Sequence, residues 1–91
     1  MFSVTLNKCF RITFANGWTA SVQWGAGNYC QNYGDRRRPG WSYDGPVPAS
    51  NDAEVWAWKG EGEPSEETYG DVRGYLSADG VLAYLNEVAS L

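Results

Sequence analysis

Proton transfer at neutral pH most often falls to histidine, and this chain of 91 residues has none. Ser–His–Asp and Cys–His nucleophile systems therefore cannot be built from it. A zinc site would need Cys9 and Cys30, which are far apart in sequence, completed by carboxylates, an unusual donor set. No GxxxxGK[ST] phosphate loop is present. The run Gly25-Ala-Gly-Asn-Tyr-Cys30 carries cysteine where GxGxxG needs its third glycine, and no helical pattern follows it. Carboxylates remain: Glu61, Glu63, Glu66, Glu67 and Asp71 cluster in one stretch. Two carboxylates can hydrolyse a glycoside, but only in a cleft that separates their pKa values. A stretch with Pro64, Gly60, Gly62 and Gly70 predicts a hydrated loop instead. The expectation is a protein that is not an enzyme, with no catalytic residues, no cofactor and no metal.

The same residues suit recognition. Arg36, Arg37 and Arg38 lie beside Asp35 and Pro39, between Tyr29, Tyr33, Trp41 and Tyr43. Guanidinium forks hold phosphates and carboxylates in bidentate fashion, and Tyr, Trp and Arg dominate interface hot spots. The carboxylates at 61, 63, 66 and 67 offer the opposite sign and could imitate a phosphate backbone towards a basic groove. Candidate partner-binding residues are thus Tyr29, Tyr33, Arg36, Arg37, Arg38, Trp41, Tyr43, Glu61, Glu63, Glu66 and Glu67.

Those residues need a frame. Phe2, Val4, Leu6, Phe10, Ile12 and Phe14 alternate with polar residues, the period of a strand with one buried face. Lys8 interrupts the row, giving either one bent strand or two short ones around Asn7–Lys8. Phe14-Ala-Asn-Gly-Trp18 is a hairpin signal. A two-residue Asn16–Gly17 turn would set Phe14 opposite Thr19 and Ile12 opposite Ser21. A three-residue turn sets Phe14 opposite Trp18, Ile12 opposite Ala20 and Phe10 opposite Val22, apolar with apolar, and needs positive φ at Gly17. The second register is the prediction. A strand over Ala53–Trp58 follows, with Ala53, Val55 and Ala57 on one face and Glu54, Trp56 and Trp58 on the other. The chain closes in a helix: Ser77 is the N-cap, Asp79 suits the first turn, Leu76 and Val81 fit a hydrophobic staple, and Val81, Leu82, Leu85, Val88 and Ala89 form the apolar stripe. The fold class is α+β: an antiparallel sheet of three to four strands with one C-terminal helix packed on a face. A long loop from Gly25 to about Ala49 separates the strands, and loops of that length are usually functional or disordered.

Length sets one domain over residues 1–91. A hydrophobic fraction of 43 % with five Trp marks a folded chain rather than a disordered one. The net charge of -4 argues against a general nucleic-acid binder and suits a basic or charge-complementary protein partner. No apolar run reaches the roughly 20 residues that cross a bilayer, and the first residues lack a signal-peptide pattern. A bacterial cytoplasm with both thiols free is the expected setting.

The runs Arg11-ITFANGWTASVQWGAGNYCQ-Asn32, Ser50-NDAEVWA-Trp58 and Leu76-SADGVLAYLNEV-Ala89 resemble small bacteriophage-encoded proteins. The shared pattern is ITF.NGW..SVQ.G.GNYC, an AEVW-type strand and a short closing helix, covering the sheet and helix but not the loops. The resemblance implies an inhibitor of host defence, anti-CRISPR-like, that occludes a nucleic-acid or subunit-binding surface on a host protein complex. It assigns no residue. Two other functions fit the residues: a sponge for a phosphorylated nucleotide, with arginines on phosphate and an aromatic ring on the base, or a structural or regulatory phage protein that self-associates.

Overall fold

The computed structural model describes residues 1–5, 8–34 and 49–91. Five strands, β1 (Phe2–Thr5), β2 (Cys9–Thr13), β3 (Trp18–Gln23), β4 (Asp52–Lys59) and β5 (Arg73–Ser77), precede helix α1 (Ala78–Ala89). They form one antiparallel sheet in chain order, with β1 and β5 at the edges. The α+β class with a C-terminal helix on the sheet stands; the expected three to four strands become five. One strand, β5, goes beyond the expected range, since a divided first segment already gives four. The first alternating segment divides into β1 and β2, and β5 lies in a stretch whose sequence, Arg-Gly-Tyr-Leu-Ser, lacks alternation.

The hairpin takes the bulged register. Ile12 faces Ala20 and Phe10 faces Val22. The Phe14 amide donates to the Trp18 carbonyl at 2.8 Å, the Gly17 amide returns to the Phe14 carbonyl at 3.0 Å, and Gly17 has φ 87°. A one-residue slip would have turned every apolar side chain of β2 to the other face.

One face of the sheet carries the core. Ala20, Val22, Ala53, Val55 and Ala57 pack beneath Tyr84 and Val88 of α1, with Phe10, Ile12, Phe14, Trp18, Trp24, Tyr69, Leu76, Val81 and Leu85 around them. Small side chains on β3 and β4 let the helix lie close over the centre of the sheet. The expected helix stripe shifts by part of a turn. Residues 81, 84, 85 and 88 face the sheet, while Leu82 is 60 % exposed and Ala89 is exposed. Tyr84 supplies the missing ridge, because its spacing of three from Val81 and four from Val88 puts it on the buried side. Ser77 caps α1 as expected, its hydroxyl accepting from the Gly80 amide. The other helix end is held from the hairpin turn: the Asn16 Nδ2 donates to the Val88 carbonyl at 2.8 Å and its Oδ1 accepts from the Trp18 amide.

The opposite face is polar yet partly covered. Cys9, Thr19, Ser21 and Trp58 are buried there. The Arg11 guanidinium lies 5.1 Å from the Trp58 ring centroid, and Trp56 sits 5.7 Å from Trp58. The 60–70 segment helps cover this side: Thr19 Oγ1 donates to the Gly60 carbonyl, Arg11 to Gly62, and the Trp56 indole to Gly70. Cys9 and Cys30 are both buried and unpaired with each other.

Candidate binding surface

The expected long loop begins as an ordered turn. From Gly25 to Gly34 the backbone folds on itself, with Cys30 and Asn32 buried. Side chains from the adjoining strand ends hold it. Glu54 Oε2 accepts from the Tyr29 amide at 2.7 Å and Asp52 Oδ1 from the Gln31 amide at 2.6 Å. Asn28 bridges inward, its Nδ2 donating to the Gln23 side chain at 2.6 Å and its Oδ1 accepting from the Gly25 amide. Asn32 Nδ2 donates to the Trp24 carbonyl at 2.8 Å. Burial pushes the Cys30 thiol above its ordinary pKa, despite hydrogen bonding from its surroundings, so this sulfur packs as a small apolar group.

Beside this turn the edge strand β5 is irregular. Ala53 faces Leu76 and Val55 faces Arg73, so Glu54 stands opposite both Gly74 and Tyr75, a β-bulge. Gly74 is required there: a Cβ on it would lie 2.6 Å from Tyr29 Cβ. Tyr75 has φ 58° and is the single non-glycine residue with positive φ among those described. Its amide donates to the Tyr29 carbonyl at 2.9 Å. An aromatic residue in the left-handed region stores about 1–2 kcal/mol of strain and stays there only where neighbours over-determine it.

Three tyrosines on this turn and on the bulge beside it reach solvent. Tyr29, Tyr33 and Tyr75 are 52, 55 and 57 % exposed. Tyr29 and Tyr33 lie 5.4 Å apart between ring centroids. Tyrosine gives an interface large rigid area at low entropic cost, with a hydroxyl at its tip. Tyr29 and Tyr33 were legible in sequence; Tyr75 was not, because a five-residue strand with a bulge leaves no period.

The other predicted residues fall elsewhere. Glu61, Glu63, Glu66 and Glu67 are all exposed and belong to the connection between β4 and β5, at the Lys59 end of β4. That end is not a free loop. The Lys59 amide donates to the Glu67 carbonyl, Thr68 bridges Trp58, and the Tyr69 amide donates to the Ala57 carbonyl, so the chain doubles back along β4. Lys59 and Glu67 pair at 3.8 Å, and Arg11 and Glu63 at 3.7 Å. From Glu54 to Gly60 the strand runs roughly 20 Å at its usual ~3.3 Å rise, so tyrosines and acidic residues occupy opposite ends of the sheet. Arg36, Arg37, Arg38, Trp41 and Tyr43 lie outside the described residues.

Among the described residues no group of three His, Cys, Asp or Glu side chains is placed to hold a metal ion. No helix among the described residues is long and apolar enough to cross a membrane. No family model, curated protein or solved structure matches this chain.

Proposed function

We propose that this chain is a non-enzymatic binding protein whose principal contact surface is the tyrosine cluster Tyr29–Tyr33–Tyr75. One observation carries the reading: a strained, half-exposed Tyr75 on a β-bulge is held to Tyr29 by a backbone hydrogen bond. Strain and solvent-exposed aromatics both oppose folding economy, and both are what a preorganised interface uses. The partner is a host protein or protein complex rather than nucleic acid, given the net charge of -4. The resemblance to phage proteins supports the cellular role: occlusion of a functional surface on a bacterial defence complex, in the manner of an anti-CRISPR. The acidic residues at the far end of the sheet steer the approach rather than extend the contact, since roughly 20 Å separates the two.

Affinity capture from bacterial lysate tests the proposal when the wild type is compared with Tyr29→Ala/Tyr33→Ala/Tyr75→Ala. A protein species enriched by the first and lost with the second, at high thermal stability of both, supports it. Equal recovery by both overturns it. A nucleotide panel that raised the melting temperature would favour a nucleotide sponge instead.

A further inference from the structure

Arg11 stands apart from the tyrosine cluster, on the polar face of the sheet, and its hydrogen bonding is incomplete. Its guanidinium is stacked over Trp58, and Nη1 donates to the Gly62 carbonyl at 3.3 Å. Its Nε is buried with no acceptor. Immediately beneath, Trp58 is 1 % exposed and its indole Nε1 is also buried with no acceptor. Both atoms are donors only, and buried donors without acceptors are rare enough to need an explanation.

Arg11 also lines a cavity of about 210 Å³, with Met1, Ser3, Thr13, Thr19 and Gly62 completing its wall. The two threonines cannot serve an incoming donor-seeking group. Thr19 Oγ1 donates to Gly60, which leaves Thr13 to donate to Thr19 at 2.8 Å. The free donors of the wall are those of the guanidinium, the Ser3 hydroxyl and the Met1 ammonium, which donates one N–H to the Thr13 carbonyl at 3.0 Å and keeps two. Among the described residues a single anionic group reaches Arg11: Glu63, 3.7 Å from Nη1 and with its side chain 88 % exposed. An exposed pair at that distance is weak.

We propose that this cavity is a carboxylate-recognition site, that Arg11 is its binding residue, and that Glu63 is a loosely held internal competitor which an incoming carboxylate displaces. The stack on Trp58 and the bond to Gly62 fix the guanidinium plane beforehand, which suits the fork for a planar two-oxygen acceptor. The carboxylate comes from an acidic side chain or from a chain terminus, and the site does not depend on the tyrosine cluster.

The test follows the Arg11 Nε resonance by NMR while the intact protein is titrated with acetate, with chloride at equal ionic strength as the control. Acetate should give a saturable shift that chloride does not. Two peptides then separate the sources: acetyl-Gly-Glu-Gly-amide offers a side-chain carboxylate and acetyl-Gly-Gly-Gly with a free terminus offers the other. Glu63→Gln, a change at a solvent-exposed side chain, should tighten acetate binding by about 1.5- to fivefold, the weight of an exposed ion pair. Arg11→Lys keeps the charge but loses the fork and should weaken binding at least tenfold. The proposal is overturned if acetate and chloride shift Arg11 alike, if Glu63→Gln leaves the affinity unchanged, or if Arg11→Lys binds as well as the wild type.

Discussion

At most strand positions replacing a side chain by glycine is worse than replacing it by alanine; at Tyr75 the order should reverse. Both variants remove the same half-exposed ring, so the packing loss is common to them and cancels in the comparison. What differs is the backbone. Alanine keeps the penalty for φ 58°, about 1–2 kcal/mol for an L-residue. Glycine escapes it but loses more entropy on folding, about 0.5–1 kcal/mol. Tyr75→Gly should therefore be more stable than Tyr75→Ala by about 0.75 kcal/mol at the centre of those ranges, and by up to about 1.5 kcal/mol. For a domain of this size that is a difference of several degrees in melting temperature, at about 4–8 °C per kcal/mol. Urea titration of the two variants gives it directly, provided their m-values agree. An alanine variant as stable as the glycine variant, or more so, would show that Tyr75 is not strained and would remove the main support for the binding surface.

Three further outcomes follow from the fold. Gly17→Val places a β-branched residue at φ 87° and should lower stability by 2 kcal/mol or more, about the cost of left-handed backbone with added branching; an unchanged melting curve would contradict the bulged hairpin. Asn16→Ala removes the bond to the Val88 carbonyl at the end of α1 and should cost about 1 kcal/mol in chemical denaturation, with increased amide exchange in the last helical turn. Tyr84 is buried with its hydroxyl unpaired, and burial pushes its pKa up to about 12. The folded state then holds this proton where the unfolded chain, with pKa near 10, releases it. Its contribution is complete below pH 10 and is lost as the pH rises towards 12, so Tyr84→Phe should flatten that alkaline decline. Tyr69, whose bond to Glu87 also raises its pKa, adds a smaller slope that remains.

The hairpin and the helix cap were legible because each depends on local rules. Gly17 in Phe14-Ala-Asn-Gly-Trp18 offered two registers, and hydrophobic matching chose between them. Ser77 announces the helix through capping chemistry that involves residues three apart. The helix face was less legible: the choice between Leu82 and Tyr84 depends on where the sheet lies, and a tyrosine hydroxyl hides the fact that its ring is core. β5 was illegible for a physical reason. Its bulge breaks the period of two, and its pairing with β4 places residues about 20 positions apart side by side. Glu54 shows the same limit. In sequence it is one polar residue of an alternating strand; in the fold it faces the bulge and holds Tyr29, which makes it the hinge between the core sheet and the tyrosine cluster. The acidic residues were legible by composition, yet their separation from Tyr29 and Tyr33 follows only from the direction of β4.

Site-specific photocrosslinking addresses the binding surface most directly. A benzoylphenylalanine placed singly at 29, 33 or 75 and irradiated in bacterial lysate should give the same adduct from all three positions, while the equally exposed Leu82 on α1 gives none. Adducts of equal yield from position 82, or none from the three tyrosine positions, would contradict the account.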